Sequence, residues 1–119
     1  MKVVATMALL LTLASATGGA WAHAALQSAS PAASAVLAKA PKEIRLSFNE
    51  AVEGPFSKIA LSDAQHAAVA LPAVQLDAKN PKVMTVAVPP LKPGTYQVQW
   101  STMTRDGHKT KGQYSFQVK

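Results

Sequence analysis

Apolar residues recur at every second position in this chain and nowhere sustain a helical spacing, and that period of two decides which folds are open to it. Ile44, Leu46 and Phe48 alternate with Glu43, Arg45, Ser47 and Asn49. Tyr96, Val98 and Trp100 alternate with Gln97 and Gln99, and Tyr114, Phe116 and Val118 with Gln113, Ser115 and Gln117. Successive side chains of a strand point to opposite faces, so each run gives one apolar and one polar face, the pattern of a half-buried strand. Weaker strands are expected over 56–61, 67–71, 74–76 and 83–88, separated by turn-forming connections such as Pro89-Pro90-Leu91-Lys92-Pro93-Gly94. Residues 27–34 read as irregular, and 34–40, between Pro31 and Pro41, as one short turn of helix. About seven short strands with this punctuation predict an all-β Greek-key sandwich or barrel, cupredoxin- or immunoglobulin-like, in a single domain.

The N-terminus departs from this pattern. Met1-Lys2 precedes an apolar run over 3–16, then small residues, then Ala20-Trp21-Ala22-His23, the order of a secretory signal peptide cleaved after Ala22. The run falls short of the ~20 apolar residues that span a bilayer, and the lack of a twin-arginine pair favours the general secretory route. The expected division is therefore a signal peptide over 1–22 and one exported domain over 23–119. The chain has no cysteine, so packing alone must hold that domain, and any metal site must use nitrogen, oxygen or thioether donors. The formal net charge is +6, one unit of it from Lys2. With aromatics at 6% there is little to stack on bases, so the charge reads as a solvated basic face or a surface for an acidic partner, and no nucleic acid is expected as a ligand.

Cleavage after Ala22 would make His23 the first residue, and a free α-amine beside an imidazole is a ready two-nitrogen chelate. Between the two strongest late strands lies Thr104-Arg105-Asp106-Gly107-His108-Lys109. An Asp-Gly pair there suits a hairpin turn with positive φ, and the same stretch offers a carboxylate and an imidazole. The amine and imidazole of His23, the imidazole of His108 and an oxygen of Asp106 make three nitrogens and one oxygen, a tetragonal set that suits Cu(II). Zinc prefers tetrahedral sites, which the tight amine-imidazole chelate disfavours. Glu50, at the end of the first strong strand, is a candidate further ligand or an acceptor for an imidazole N–H. His66 sits in an alanine-rich turn and reads as exposed, with a second-site ligand as the alternative. Met84 and Met103, the methionines beyond residue 22, are too few and scattered for a Cu(I) trap. No nucleophile-base pair, phosphate loop or catalytic carboxylate pair is present, so no enzymatic activity is expected.

These stretches together resemble the copper-resistance protein C (CopC) family, small periplasmic copper carriers with a Greek-key β-barrel or sandwich fold. The resemblance runs through His23-Ala24-Ala25-Leu26, Ser30-Pro31-Ala32, Ile44-Arg45-Leu46-Ser47-Phe48-Asn49-Glu50 and Leu91-Lys92-Pro93-Gly94-Thr95-Tyr96-Gln97-Val98-Gln99-Trp100. It continues in Asp106-Gly107-His108-Lys109-Thr110-Lys111-Gly112 and Tyr114-Ser115-Phe116. It implies Cu(II) held by His23, Asp106 and His108, with Glu50 nearby. Many family members also carry a methionine-rich loop for Cu(I). The corresponding stretch here, 63–71, has His66 and no methionine, which implies a Cu(II)-only member. The function implied is a monomeric periplasmic protein for copper homeostasis or resistance that buffers Cu(II) or delivers it to an inner-membrane copper transporter of the CopD type. Two other classes remain open on the residues alone. One is a copper-dependent oxidase like the lytic polysaccharide monooxygenases, which also use an N-terminal histidine. The other is a metal-free β-sandwich interaction module in which Asp-Gly-His is only a turn.

Overall fold

The structure is a computed structural model that describes residues 24–119. The expected signal peptide and His23 lie outside the described residues. Nine strands form: β1 (Leu26–Ser30), β2 (Val36–Leu37), β3 (Glu43–Phe48), β4 (Lys58–Ser62), β5 (Ala68–Val69), β6 (Gln75–Asp77), β7 (Asn80–Ala87), β8 (Gly94–Met103) and β9 (Lys109–Val118). They make two sheets, a four-stranded one in the order β1-β3-β7-β6 and a five-stranded one in the order β2-β9-β8-β4-β5. The chain passes repeatedly from one sheet to the other, and every pairing is antiparallel except β2 with β9. The expected all-β sandwich is what the sequence folds into.

The period of two explains the core. Ile44, Leu46 and Phe48 of β3 point inward, as do Met84 and Val86 of β7, and they meet Val98, Phe116 and Val118 from the other sheet. Phe48 meets Trp100 edge-on at 5.1 Å, and Tyr96 stacks on its register partner Phe116 at 5.7 Å. Such pairs add about 0.5–1.5 kcal/mol each beyond the area they bury. The Tyr96 hydroxyl reaches the edge of the core and donates to the Lys92 carbonyl at 2.7 Å, tying the proline-rich connection to the start of β8. Met84 is fully buried, which makes it a packing residue.

The structure corrects the sequence reading at four places. Residues 26–30, read as mostly irregular, form β1, an edge strand held to β3 by backbone pairing. The stretch 34–40 is not a helical turn: Ser34 takes φ 63 and Val36–Leu37 pair with the end of β9. The strand expected over 56–61 starts two residues later, because Pro55 and Phe56 belong to a 3-10 turn, Gly54–Phe56, that leaves Phe56 64% exposed. The connection between the strands expected over 74–76 and 83–88 shrinks to a tight turn between β6 and β7. There the Asp77 carboxylate accepts the Lys79 amide at 2.8 Å and the Arg45 guanidinium at 3.0 Å.

Candidate metal centre

The β8–β9 hairpin ends in a loop that its hydrogen bonds define. The Thr104 amide donates to the His108 carbonyl at 2.9 Å and the Gly107 amide to the Thr104 carbonyl at 3.0 Å. This is a tight turn through Arg105 and Asp106 followed by a residue at positive φ, which Gly107 supplies at φ 85. The consequence is local: Asp106 and His108 flank the glycine and their side chains meet, with Asp106 Oδ2 2.9 Å from His108 Nδ1. Both side chains are about half exposed.

Thr104 organises the pair from below. It is buried, and its hydroxyl donates to Asp106 Oδ1 through a short hydrogen bond and lies 3.3 Å from the His108 carbonyl. The Thr104 hydrogen bond holds the Asp106 carboxyl below its ordinary range; partial desolvation opposes this and His108 adds to it. Asp106 is thus kept as the anion that a cation site needs. Each of its oxygens has a side-chain partner, Thr104 on one and His108 on the other.

The described N-terminal segment is anchored at the same end of the sandwich. Ala24 is 2% exposed, and its carbonyl accepts the Thr110 hydroxyl at 2.9 Å. Thr110 in turn shares a 2.8 Å hydrogen bond with buried Thr102 on β8. Asn49 clamps the next residue from both sides: its side-chain oxygen accepts the Ala25 amide at 2.7 Å, and its own amide donates to the Ala25 carbonyl at 3.0 Å. The segment 24–25 is therefore fixed at three points, one of them on β9 only two residues from His108. Further stitching comes from the loop after β3. Glu53 donates its amide to the Met103 carbonyl at 2.7 Å, and the Ser57 hydroxyl accepts the Met103 amide at 3.3 Å.

Of the residues singled out in the sequence, the structure brings Asp106 and His108 together. Among the described residues no cluster of three His, Cys, Asp or Glu is present, so neither Glu50 nor His66 is gathered into one with that pair. Glu50 stands half-buried in the bend after β3, next to the Asn49 clamp. His66 occupies the β4–β5 turn at φ 63, beyond the Ser62–Gln97 register pair, whereas the metal-side end of β8 lies past Ser101. It sits at the far end of the sheet. Thr104, Thr110 and Asn49 carry the geometry and were not singled out. For the threonines the signal was parity: Thr102 and Thr104 continue the inward series of Tyr96, Val98 and Trp100, Thr110 that of Tyr114, Phe116 and Val118, and a polar residue at an inward position must find a partner. Asn49, exposed and on the outward parity, carried no such signal.

The fold and this geometry can be set beside known proteins. A family model described as the CopC domain matches residues 26–119. Protein YobA of Escherichia coli (strain K12) is 40% identical over 111 residues, covering 92% of this chain and 90% of that protein. The crystal structure of PcoC, a methionine-rich copper resistance protein from Escherichia coli, superposes with a TM-score of 0.74 at 36% identity, over 82% of this chain and 100% of that one. Copper transport protein CutJ of Bacillus subtilis (strain 168) is 29% identical over 99 residues, 82% of this chain but 18% of CutJ.

Proposed function

We propose a task for this site on the premise that the chain belongs to the CopC domain family and is a copper-binding protein of copper resistance: it takes up Cu(II) in the periplasm and passes it to a membrane copper transporter of the CopD type. The observation that carries the reading is the pinning of Ala24 to Thr110 beside the Asp106–His108 turn. Ala24 is bonded through its carbonyl to Thr110, two residues along β9 from His108, and this supports a contribution to the site from the residue that precedes it, His23. Signal cleavage after Ala22 would turn the His23 nitrogen from an amide into an amine. His23 would then give two nitrogens, His108 a third and Asp106 an oxygen, a tetragonal set for Cu(II). Glu50 would act on this set from outside, as an acceptor near the Asn49 clamp.

Copper here is cargo, and the site suits cargo. Its described donors are half-exposed on a turn at one end of the sandwich, which favours capture and release over enclosure. The match to CutJ supports delivery, because a stretch like this chain fills a minor part of a copper transport protein; a free-standing chain doing the same work would meet its transporter as a separate partner. Binding by a monomer needs no second copy.

Competition titration with Cu(II), read by electron paramagnetic resonance on protein beginning at His23, tests the assignment. His108→Ala and Asp106→Asn should each weaken binding by ~10–100-fold or more, Glu50→Gln by less, and His66→Ala not at all. An unchanged affinity and spectrum in His108→Ala would overturn the reading.

A further inference from the structure

The two outer faces of the sandwich differ in charge. On the four-stranded sheet the signs are mixed: Glu43 lies on β3 near Arg45, which is bridged to Asp77 of β6 at 3.0 Å. The five strands of the other sheet contain no Asp or Glu at all. Their outward positions are Gln, Ser, Thr and Ala, with Val36 on the edge strand β2, except at the end that leads to the Asp106–His108 turn, where lysines gather around Met103. Register fixes the pattern. Lys58 of β4, Ser101 of β8 and Lys111 of β9 lie side by side in one row, and the next outward row pairs Met103 with Lys109. Strands about 4.8 Å apart set the Lys58 and Lys111 backbones ~10 Å from each other, and Lys109 stands ~7 Å from Lys111 along β9. Between the two lysine rims runs a shallow groove of about 640 Å³, floored by Ala60, Gln99, Ser101 and Gln113.

We propose that this groove is the docking site for an extended acidic segment of the protein that receives the metal. The proposal rests on the delivery reading for the partner's role, and on the lysine rows for its chemistry. An extended chain with carboxylates at alternate positions repeats every ~7 Å, the spacing of Lys109 and Lys111, while a further carboxylate reaches Lys58 across the groove. The glutamine and serine side chains of the floor can donate to a peptide backbone or accept from it. The site faces a protein segment in preference to a lipid surface because neither of the large exposed apolar residues, Val36 and Phe56, lines the groove, and the one aromatic ring that does, Trp100, is packed edge-on against Phe48 and is not available to insert among acyl chains. A partner laid along β9 would end beside His108, which puts docking and metal release at the same end of the sheet. Complementary charge of this kind mainly speeds encounter and selects partners, and it weakens with salt.

The test uses copper-free protein beginning at His23 and a fluorescein-labelled short peptide alternating Glu and Ser, at low salt, read by anisotropy and by backbone amide shifts. The expected result is binding whose largest shifts fall on Lys58, Gln99, Ser101, Lys111 and Gln113. Affinity should fall ~10-fold or more in Lys58→Glu/Lys111→Glu, and clearly in the milder Lys58→Gln/Lys111→Gln, but little in Lys42→Glu/Lys79→Glu, which changes net charge equally elsewhere. Equal losses in both reversals, or shifts on the other sheet, would overturn the proposal. So would tighter binding, with the same lysine dependence, to vesicles of equal phosphatidylserine and phosphatidylcholine, which would make the face a membrane surface. Cu(II) affinity should not change in the Lys58/Lys111 variants. Because docking is measured without copper, failure of the copper site and failure of the docking site give separate results.

Discussion

Thr104 is buried beneath the pair and is not one of the proposed ligands, yet it acts on the charge of Asp106, which is. Its hydroxyl bond is the largest influence holding the Asp106 carboxyl below the ordinary range. A depressed acid contributes stability that is present above its unfolded value of 3.8 and is lost as pH falls through the lower folded value. Asp106 therefore stays ionised throughout mildly acid conditions, and weakening of Cu(II) binding between about pH 7 and 5 should come from protons competing for the nitrogen donors. Thr104→Val should raise the Asp106 carboxyl toward its ordinary value, visible in a carbon-detected NMR titration of that side chain, and weaken copper binding; an unmoved titration would remove Thr104 from the account. Tyr114 gives a prediction of opposite sign. Burial pushes its phenol up to about 12, and its hydroxyl is buried with no hydrogen-bond partner among the described residues. Tyr114→Phe deletes an unsatisfied polar atom and should raise the unfolding free energy by ~1 kcal/mol in denaturant titration. A loss of stability would mean that the hydroxyl has a partner after all.

At the scale of elements, the β8–β9 hairpin is the beam on which the site is mounted, and its stiffness depends on a close approach. Gly112 faces its register partner Trp100, and a Cβ placed there would stand 2.5 Å from the Trp100 ring. Gly112→Ala should cost ~1–3 kcal/mol and shift the emission of Trp100, the sole tryptophan of protein beginning at His23; an unchanged spectrum would show that the ring has room. Thr110→Val removes the tie to Ala24 and leaves Thr102 short of a partner. It should lower copper affinity by ~10-fold or more while costing ~1–2 kcal/mol of stability, and copper affinity equal to wild type would separate the N-terminal anchor from the site. These elements differ in how far they could be read in advance. β3, β8 and β9 announce themselves because each buries one face, and burial writes a period of two into the residues. β1 and β2 do not. β1 is held mostly through its backbone at a sheet edge, so Gln27, Ser28 and Ser30 can be polar without cost, and β2 is two residues long, bound to β9 by a parallel pairing that no local pattern encodes. The Asp106–His108 pair was legible because Asp-Gly marks the turn that joins them. The threonine supports were legible only as inward polar positions in need of partners; whether a hydroxyl meets Asp106 or the Ala24 carbonyl is decided by the fold.

Taken whole, the sandwich carries its chemistry at one end. The N-terminal segment enters there, the longest hairpin turns there, the loop after β3 is stitched there, and the lysines of the acid-free sheet collect there. His66 lies at the other end, Met84 is buried in the core, and Met103 stands half-buried at the end of β8 opposite Lys109. The central claim is that export and copper binding are joined, because only a terminus freed after Ala22 supplies the amine. The measurement that tests it most directly is a Cu(II) titration with electron paramagnetic resonance on two proteins, one beginning at His23 and one bearing extra residues ahead of it. The account predicts tight binding and a tetragonal, nitrogen-rich spectrum for the first, with a large loss of affinity and an altered spectrum for the second. Identical affinity and spectra in the two would contradict it.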